Sequence, residues 1–415
     1  MTRVDVAIVR WLASPEGWAE LRDLPPYDER EELAVQQRLR ARGLSPEKTA
    51  ALLLQARLRA RAHTKFEDFA DGMLFTAEGL EQATRLQVSA VHAGRFAQAS
   101  LATAHDLGCG IGADAMALSA LGVTVHGVDT DAVTAAIADV NLRMWPDSRA
   151  HVGSAEDFVI PTDPLRSRVG VWFDPARRIP GVLDAKGRPR RVYRLDRMSP
   201  PWELVTHIAG LVGAAGAKLS PSFPHDALPL GSEAQWVSYA GDLLECTVWW
   251  GPLVRHQGRT ALVLDRDGAT SELDESMAQE STPTLASLAG LGAWLYEPDL
   301  AVTKAGLLGA VTAHTAGGEV EAGLGYISSD TRVDLPFAKR YAVLEAMPFQ
   351  PKTLRAWLRK AGITGVTIKK RGIRTDEVQL RRALGLGRGA GKGAQATLVL
   401  TRVAGQQVAL IVDPR

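Results

Sequence analysis

The chain has 415 residues, of which 46% are hydrophobic and 23% are charged, and its formal net charge is +1. This length exceeds one ordinary core, so we expect two or three domains. No segment reaches the ~18 uninterrupted apolar residues of a membrane span, the first residues lack the pattern of a cleaved leader, and the two cysteines do not suggest a disulfide framework. We therefore expect a cytoplasmic, reduced protein that has no membrane contact.

Residues 1–96 are predicted to form an N-terminal helical region. The stretch Asp28–Arg42 is dense in charged and helix-forming residues, and Ser45 followed by proline is typical of a helix start, which predicts a helix over Pro46–His63. The arginines of that helix fit either a bundle with solvated charges or an RNA-binding arm, and we favour the bundle. A further helix ends at Phe96, directly before the next domain, and is expected to close over its ligand site.

Residues 97–268 are predicted to form a doubly wound α/β domain. Apolar runs alternate with helical patterns, which favours a mostly parallel sheet with helices on both faces. The last strands are expected to include a hairpin, although the Trp-rich segment 235–250 leaves its pairing open. The predicted strands are Thr103–Asp106, Thr124–Val128, Ala150–Val152, Val169–Phe173, Gly216–Ser220, Gln235–Tyr239 or Glu245–Trp249, and Thr260–Leu264.

Residues 269–334 are assigned to a linker and a helical connection, and residues 335–415 to a separate basic module. The polar stretch Asp265–Thr284 is predicted to be a linker, and Asp299–Ala316 a helix. The basic module is predicted to be an α+β unit. Its predicted elements are strand Tyr341–Glu345, helix Pro351–Ala361, strand Val366–Lys370, helix Thr375–Leu384, loop Gly385–Gly393, and strands Ala396–Arg402 and Gln407–Val412.

Charge is distributed very unevenly along the chain. Between Pro336 and Arg402 there are fifteen Lys or Arg residues and three acidic residues, which gives this segment a net charge of +12 and leaves −11 for the other 348 residues. Such a difference indicates that the C-terminal module binds a polyanion. A solvated basic face without any ligand is the alternative interpretation.

Residues 104–131 contain a glycine-rich turn between a strand and a helix. Asp106 is followed by Gly108, Gly110 and Gly112, and the next apolar strand ends on Asp129. Glycines let a backbone approach a ligand closely, and an acidic residue after the second strand accepts hydrogen bonds from ribose hydroxyls. The unit predicts a nucleoside-containing cofactor, the alternative being a tight turn beside a solvated aspartate.

The spacing Gly-x-Gly-x-Gly, with Asp106 two residues ahead of it, differs from the dinucleotide fingerprint Gly-x-Gly-x-x-Gly. It resembles motif I of class I S-adenosylmethionine-dependent methyltransferases. The resemblance implies that the methionine moiety of the cofactor lies over the turn at Gly108 and Gly110. It also implies that Asp106 helps to hold the amino group of the cofactor and that Asp129 binds its ribose. S-adenosyl-L-methionine is therefore the expected cofactor.

The third predicted strand leads into the residues Ser154-Ala155-Glu156-Asp157. In class I methyltransferases the loop after this strand contacts the adenine, and Ser154 stands where many members have an aspartate. The resemblance implies that the backbone of Ala155, or the side chains of Glu156 and Asp157, make this contact instead. A plain helix N-terminus, with its acidic residues stabilised by the helix dipole, explains the same residues equally well.

The fourth predicted strand ends in Asp174-Pro175-Ala176-Arg177-Arg178. Ligands of open α/β sheets bind beyond the carboxyl ends of the strands, where this segment is expected. Nucleic-acid amino-methyltransferases carry Asp/Asn-Pro-Pro-aromatic at this place, so Asp174 and Pro175 match, whereas Ala176 and Arg177 depart from the pattern. Asp174 is the candidate catalytic residue, which orients or deprotonates the acceptor.

Arg177 and Arg178 are candidate substrate contacts, or structural partners of acidic residues in the core. The arginines at 188, 190, 191 and 194 extend a basic loop that is expected to form the substrate-side lid, which favours an anionic substrate. RNA uracil-C5 methyltransferases carry Asp-Pro-Pro-Arg and also need a nucleophilic cysteine. The single downstream cysteine, Cys246, lies in an apolar strand, so we disfavour that chemistry.

Four short phrases carry a resemblance over nearly the whole chain, to the bacterial class I methyltransferases that have a C-terminal THUMP-like domain. True THUMP domains capture RNA, usually tRNA, so the resemblance implies an RNA substrate. The triplet Lys369-Lys370-Arg371, with Arg388 and Lys392 in a glycine-rich loop, supplies cations for RNA phosphates. The phrases are Phe75-Thr76-x-x-Gly79-Leu80-Glu81-Gln82-Ala83-Thr84, Asp174-Pro175-Ala176-Arg177-Arg178, Tyr296-Glu297-Pro298-Asp299 and Lys369-Lys370-Arg371-Gly372.

The sequence thus predicts an S-adenosylmethionine-dependent methyltransferase that acts on rRNA or tRNA and uses no metal. Two alternatives stay open. One is a methyltransferase of proteins or small molecules, and the other is an RNA-binding factor whose methyltransferase fold is catalytically idle. The intact Asp106, Gly108, Gly110 and Asp129 argue against an idle enzyme, whereas the unusual residues after Asp174 argue for one. The methylated atom and the oligomeric state are left open.

Overall fold

The computed structural model describes residues 5–160, 168–176, 178–183, 189–191, 195–278, 282–386 and 394–414. The chain folds as two compact units. The first unit contains residues 1–233 and 247–255, and the second contains residues 234–246 and 256–415. Each unit has its own hydrophobic core. The finer division into four regions, as expected from the sequence, stays a prediction.

Six helices precede the first strand, and they pack around inward-facing apolar residues such as Leu12, Leu52 and Phe66. The fourth helix begins as its sequence predicts, because the Ser45 hydroxyl accepts a hydrogen bond from the Lys48 N–H and a proline fills the first helical position. Burial of each large apolar side chain contributes about 1.5–3 kcal/mol. The helices are α1 Val6–Ala13, α2 Pro15–Arg22, α3 Glu32–Ala41, α4 Pro46–Phe66, α5 Ala77–Gln82 and α6 Leu86–Gln98.

The next part of the first unit is an α/β domain, as the sequence predicts. Its strands are β1 Thr103–Leu107, β2 Thr124–Asp129, β3 Arg149–Val152, β4 Val169–Phe173, β5 Arg178–Leu183, β6 Pro189–Arg191 and β7 Ala215–Leu219. Its helices are α7 Ala113–Ala120, α8 Ala132–Asn141 and α9 Trp202–Val212. Five of the strands are parallel neighbours in the order β7-β4-β1-β2-β3, whereas β5 and β6 form a separate antiparallel pair.

This strand order has a reversal point between β1 and β4. The chain proceeds outward from β1 through β2 to β3, and then returns to the other side of β1 with β4 and β7. The crevice beyond the carboxyl ends of strands at such a point is the preferred ligand site of open α/β sheets. The ends of β1 and β4 are therefore where functional side chains are expected.

The Trp-rich segment forms both of the strands that the sequence offered as alternatives. They are β8 Glu233–Tyr239 and β9 Asp242–Trp250, which are neighbours in the sheet. The two residues between them, Ala240 and Gly241, have φ values of +54° and +87°. Positive φ at both central positions gives a tight turn whose twist suits a hairpin.

The second unit contains a seven-stranded sheet with the order β13-β14-β12-β15-β18-β17-β16. The elements of the second unit from residue 256 onward begin with β10 and β11, which pair with each other and lie outside this sheet. They are β10 Gly258–Leu264, β11 Thr270–Asp274, β12 Trp294–Pro298, α10 Leu300–Ala305, α11 Leu308–Thr315, β13 Gly318–Glu319, β14 Ile327–Ser329, β15 Ala338–Pro348, α12 Pro351–Lys360, β16 Ile363–Lys370, α13 Glu377–Leu384, β17 Ala394–Val403 and β18 Gln406–Pro414. Neighbouring strands of this sheet are antiparallel except β16 and β17, which are parallel.

Both faces of this second sheet are buried along β18. Ala409 and Ile411 face the core that α12 and α13 complete, whereas Val408, Leu410 and Val412 face a separate core on the opposite side. This alternation is the two-residue period of a strand. The helices α12 and α13 contact each other, and their leucines cover one face of the sheet.

Two expectations about the segment before the basic module were wrong. Asp265–Thr284 is not a plain linker, because residues 270–274 form β11 and pair with β10 in antiparallel register. Asp299–Ala316 is not one helix, because α10 ends at Ala305, the following Gly306 has a left-handed φ of +73°, and α11 starts at Leu308. Glycine adopts this conformation readily and therefore often terminates a helix. In the described part of the chain, no helix is long and apolar enough to cross a bilayer.

Candidate functional site

The glycine-rich turn follows β1 at the reversal point of the first sheet. Gly108, Gly110 and Gly112 have φ values of +98°, +56° and +84°, which are left-handed conformations that favour glycine. The backbone N–H groups of Gly108 and Cys109 both donate to the Val128 carbonyl at 2.9 Å. A Cβ on Gly108 would lie 2.8 Å from the backbone oxygen of Asp174. Gly108 therefore permits the turn to pack directly against the end of β4.

Asp106 is a fully buried acid with no hydrogen-bond partner for either carboxylate oxygen within the described residues. Burial, and then the nearby charges of Asp114 and Asp174, raise the pKa of Asp106 well above its usual value. A buried polar group without a partner is costly for the fold. Such a group indicates that a ligand supplies the missing donor.

Asp129 lies half-buried at the end of β2, where it shapes the glycine turn. One of its carboxylate oxygens accepts from the Gly110 N–H at 3.1 Å, and the other accepts from the Asp131 N–H at 2.9 Å. Burial raises the pKa of Asp129 despite these two hydrogen bonds. Each carboxylate oxygen can accept more than one hydrogen bond, so these contacts leave acceptor capacity for a ligand.

The segment after β3 forms a short 3-10 turn over Ala155–Asp157. Ala155 is buried, whereas Glu156 is exposed and its carboxylate accepts a hydrogen bond from the Ser154 hydroxyl. The sequence leaves the Ala155 backbone and the Glu156 and Asp157 side chains as alternatives for adenine contact. Ala155 is buried and Glu156 pairs with Ser154, so the choice among the three stays a prediction.

Asp174 follows β4 and forms a salt bridge with Lys218, whose ammonium contacts the Asp174 Oδ2. The Lys218 side chain is 4% exposed, whereas that of Asp174 is 27% exposed. Lys218 lies on β7, a strand whose five residues are all buried. Asp174 therefore presents one side to solvent and is held on the other side by a buried cation.

The Lys218 ammonium also donates to the Thr84 hydroxyl at 2.9 Å. Thr84 in turn donates to Asp114 Oδ2 at 2.7 Å, and His92 Nδ1 lies 2.8 Å from Asp114 Oδ1. Burial alone would raise the pKa of Asp114, but the hydrogen bond and charge of His92, together with the Lys218 charge, lower it to about 2. Five side chains thus form a continuous polar network that ends at Asp174.

Sequence reasoning missed Lys218, Thr84, Asp114 and His92 as a group. One signal for Lys218 was present in the sequence, since it is a single lysine inside the apolar strand Ala215–Leu219. A lysine in a buried strand needs a partner, so it indicates a polar contact in the core. Thr84 is the last residue of the first of the four quoted phrases. Nothing in the local sequence shows that these side chains meet.

The segment that ends at Thr84 lies against the glycine turn. A Cβ on Gly79 would lie 2.3 Å from the Ile111 side chain, so α5 packs tightly on the turn. Asn141 donates to the carbonyls of Leu74 and Ile111, at 3.1 and 2.8 Å, and ties the two segments together. The Lys65 ammonium donates to three backbone carbonyls at 2.8 Å, the acceptors being Leu80, Glu81 and Ala83.

These features fit a ligand that carries a positive charge beside a ribose. The buried carboxylate of Asp106 needs a donor, and Asp129 can accept further hydrogen bonds at the end of β2. A Cβ on Gly110 would meet no protein atom within 4 Å, so the backbone is open on that side of the turn. A cofactor that has a positively charged sulfonium group, an amino-acid group and a nucleoside has this chemistry. Among the described residues, no cluster of three or more potential ligands could hold a metal ion.

In the second unit, two of the three candidate RNA-binding cations are bound to Glu297. The Lys369 ammonium lies 2.5 Å from Glu297 Oε2, and the Arg371 guanidinium lies 3.3 Å from Glu297 Oε1. Tyr341 also donates to this carboxylate at 2.9 Å. The third cation, Lys370, is exposed and donates to the Thr375 carbonyl at 2.8 Å. Two of the quoted phrases therefore meet at Glu297.

Most of the remaining candidate substrate residues lie outside the described residues. Arg177 and the loop residues Arg388 and Lys392 fall outside the described residues, as do Arg188 and Arg194. Arg178 begins β5, and its backbone pairs with Arg191 in β6. Their roles stay predictions.

Comparison with known proteins agrees with this geometry. An uncharacterized S-adenosylmethionine-dependent methyltransferase of Mycobacterium tuberculosis, in the strains CDC 1551 and H37Rv, is 29% identical over 358 residues, which are 83% of this chain and 90% of the relative. The crystal structure of a candidate methyltransferase from Porphyromonas gingivalis W83 covers 94% of this chain and 100% of its own, with a TM-score of 0.72 and 20% identity.

Two family models match parts of the chain. The model of a THUMP domain-like family matches residues 338–414, and a model described as a domain of unknown function (DUF8688) matches residues 5–62. The fold, the family model and these similarities agree with the class I methyltransferase fold and the C-terminal THUMP-like domain that the sequence predicts. The relatives from Mycobacterium tuberculosis are described as S-adenosylmethionine-dependent methyltransferases, which is the enzyme class and the cofactor that the sequence predicts.

Proposed function

We propose that this methyltransferase modifies RNA in the cytoplasm, either rRNA or tRNA, and that its THUMP-like domain captures the RNA. The observation that carries this proposal is a row of exposed cations on α12 of that domain. Lys352, Arg355 and Arg359 recur at helical spacing and are all exposed. None of the three has a salt bridge within the described residues, whereas Arg340, Lys369, Arg371 and Arg381 of the same domain do.

The neighbouring helix extends this basic surface, which we name the α12 face. Arg382 of α13 and Arg374 just before α13 are exposed as well. A Cβ on Gly385, at the C-terminus of α13, would lie 3.2 Å from the Arg355 guanidinium nitrogen Nε. Arg355 therefore lies beside the point where the glycine-rich basic loop begins. Unpaired exposed cations are free to bind phosphates, and each contact releases a counterion.

The α12 face replaces Lys369 and Arg371 as the main candidate for phosphate binding. Those two side chains already share the Glu297 carboxylate, so binding a phosphate would leave Glu297 without its partners. Their role in this proposal is to join β12 to β16 inside the domain. Lys370 stays a candidate phosphate contact, because its ammonium is exposed and its one described partner is a backbone carbonyl.

For the catalytic unit, we propose that Asp106 pairs with the amino group of the cofactor and that Asp129 accepts from its ribose. Gly108 and Gly110 would line the methionine moiety, and Ala155 would contact the adenine through its backbone. When bound, the cofactor supplies an electrophilic methyl group. The contribution of the chain is then to hold the acceptor in line with that methyl group and to exclude water.

Asp174 is proposed to orient the acceptor from the partly exposed side of its carboxylate. Its position at the end of β4, with its backbone carbonyl packed against Gly108, brings it beside the glycine turn. The contribution of a positioned carboxylate of this kind is typically 10²–10⁴-fold in rate. The departure at Ala176 and Arg177 means that no aromatic ring follows Asp174 directly, so stacking on a base has to come from elsewhere.

Filter binding of RNA across a salt series tests the proposal. The variant Lys352→Ala/Arg355→Ala/Arg359→Ala should flatten the plot of log affinity against log salt, by about 0.7–0.9 for each phosphate contact that is lost. A matched control removes three exposed arginines of the first unit, Arg38→Ala/Arg57→Ala/Arg61→Ala, which should leave the slope unchanged. The same control also tests the alternative of an N-terminal RNA-binding arm.

Labelled methyl transfer decides between the proposed function and its alternatives. Total RNA, RNase-treated lysate and protein fractions are offered to the wild-type enzyme with S-adenosylmethionine labelled in its methyl group. Label in RNA supports the proposal. Label that survives RNase treatment would indicate a protein or small-molecule substrate, and binding of RNA without any transfer would indicate an idle fold.

A further inference from the structure

The buried end of the polar network points to a second functional residue beside Asp174. Lys218 is the only charged residue on the strand β7, whose five residues are all buried. Placing an ammonium group in such surroundings is costly unless it is paired and hydrogen-bonded. Two of its partners are Asp174, at the proposed site of methyl transfer, and Thr84, on the segment that lies against the glycine turn.

Thr84 fixes the position of the ammonium from behind. Its hydroxyl accepts from Lys218 Nζ at 2.9 Å and donates to Asp114 at 2.7 Å, so both of its hydrogen-bonding directions are set. Asp114 is held in turn by His92 on α6 at 2.8 Å. Carboxylates and cationic or donor groups alternate along this network, and such an arrangement rigidifies a site when each member is satisfied.

We propose that Lys218 is a positioning residue that holds Asp174 as a fixed, charged hydrogen-bond acceptor, and that the methylated atom is therefore an amino nitrogen of the substrate. The second part rests on the proposed function. An ammonium in contact with a carboxylate favours the charged form of that carboxylate. Asp174 is thus suited to accept an N–H hydrogen bond and poorly suited to remove a proton from a hydroxyl before transfer.

An amino nitrogen needs no such proton removal before it reacts. Its lone pair forms the new bond to the methyl carbon while the sulfur–methyl bond breaks, and the electron pair of that bond goes to the sulfur. The positive charge passes from the sulfur to the nitrogen. The nitrogen then loses its N–H proton to Asp174 or to water. Throughout, the carboxylate of Asp174 only has to orient the amine and to favour the charge that develops on it.

A double-mutant cycle in the absence of cofactor and substrate tests the positioning role. Lys218→Met, Asp174→Asn and the double variant are compared by equilibrium unfolding. Lys218→Met alone leaves a carboxylate without its cation, and adding Asp174→Asn removes that charge. We expect the double variant to be more stable than Lys218→Met, with coupling of about tenfold or more in the unfolding constant. Additive effects would overturn the proposal.

Lys65 provides a matched control for this cycle. It is a partly buried lysine of the same unit, and its three partners are backbone carbonyls. Lys65→Met should destabilise the protein without coupling to Asp174→Asn. Equal coupling for both lysines would show a general electrostatic effect and contradict a specific role for Lys218.

Thr84 offers a conservative rescue that a purely structural role would not produce. Thr84→Val keeps the shape of the side chain but removes the hydroxyl that positions the ammonium, and Thr84→Ser keeps that hydroxyl. We expect Thr84→Val to lower kcat on the order of 10–100-fold, because small misplacements of reacting groups carry such effects. Thr84→Ser should recover most of the loss, and the Kd for S-adenosylmethionine should stay constant in both. Equal kcat values would overturn the inference.

The nature of the methylated atom is tested on RNA labelled by the wild-type enzyme. Alkaline hydrolysis cleaves RNA after an unmodified ribose, so methylation of a 2′-hydroxyl leaves label in a resistant dinucleotide. Label in mononucleotides whose base is methylated on its exocyclic amino nitrogen supports the inference, and label in resistant dinucleotides, on a ring nitrogen or on a base carbon overturns it. Should no RNA be labelled, the proposed function fails, while the unfolding cycle still decides the role of Lys218.

Discussion

The charges of the two units are arranged in opposite ways. In the catalytic unit, Asp114, Lys218 and Asp174 are buried or half-buried, and each contacts a partner of fixed geometry. On the α12 face of the THUMP-like domain, Lys352, Arg355 and Arg359 are exposed and have no salt bridge within the described residues. A buried charge needs fixed partners, whereas exposed cations stay available for phosphates and make binding dependent on salt.

Within the catalytic unit, Asp106 is the exception to this pattern. Its carboxylate is as deeply buried as that of Asp114, yet it has no hydrogen-bond partner within the described residues. The contrast separates two kinds of buried acid. Asp114 finds its partners within the folded protein, whereas Asp106 is proposed to find its partner in the cofactor. The variants below are chosen to test this division, beginning with the largest expected effect.

Asp174→Asn tests whether the network serves methyl transfer. The amide keeps the size of the side chain but removes the charge that faces Lys218 and the acceptor. We expect methyl transfer to fall by roughly 10² or more, as for loss of a preorganised group that stabilises charge developing in the transition state. The Kd for S-adenosylmethionine, measured by calorimetry, should stay near the wild-type value. Normal turnover by the variant would mean that Asp174 only anchors its loop.

Asp129→Ala tests the ribose contact at the end of β2. We expect the binding of S-adenosylmethionine to weaken by about 1.5–3 kcal/mol, the scale of hydrogen bonds to a charged group. Asp131→Ala is the matched control, because Asp131 caps α8 through the Thr134 N–H and has no place in the cofactor assignment. The control should cost about 1 kcal/mol of stability and leave the affinity unchanged. Calorimetry on both folded variants compares the two outcomes.

Glu297→Gln tests whether Lys369 and Arg371 belong to the architecture of the THUMP-like domain. Burial would raise the pKa of Glu297, but the hydrogen bond and charge of Lys369, with help from Tyr341 and Arg371, lower it. Loss of the charge should lower the free energy of unfolding of the second unit by about 1–3 kcal/mol. Cofactor affinity should be unaffected. A stable variant with strengthened RNA binding would instead return the two cations to the RNA site.

Asp106→Asn is expected to stabilise the protein without its cofactor. The raised pKa of Asp106 means that the unfolded chain releases this proton at lower pH than the folded chain does. Stability conferred at this position is therefore lost as the pH rises from the unfolded value of about 4 towards the folded value. The advantage of the variant should grow as the pH rises above about 4 and reach on the order of a few degrees in Tm.

The cofactor provides the control for Asp106→Asn. Saturating S-adenosylmethionine should raise the Tm of the wild type more than that of the variant, because only the wild type gains an ion pair on binding. A stability advantage that is constant over the pH range would show that the carboxylate of Asp106 stays charged or solvated in the folded protein, and would contradict its assignment as an unsatisfied buried acid.

The prediction of the fold from sequence succeeded where the signal is local. The strands β1, β2 and β4 alternate with helical patterns, and their ends were predicted to within one residue. It failed at residues 270–274 and at Gly306. A polar edge strand such as β11 has little apolar pattern, and a glycine between two short helices was not recognised as a helix end.

The glycine turn and the candidate residues Asp106, Asp129 and Asp174 could be identified from the sequence alone, because the spacing of a turn and the residue at a strand end are properties of neighbouring residues. Which distant side chains meet them became visible only in the folded structure. Lys218 is separated from Thr84 by 134 residues, and Lys369 from Glu297 by 72 residues. Such contacts follow from sheet order and packing, and the same tertiary structure turned two candidate RNA cations into partners of Glu297 and gave Asp174 its buried lysine.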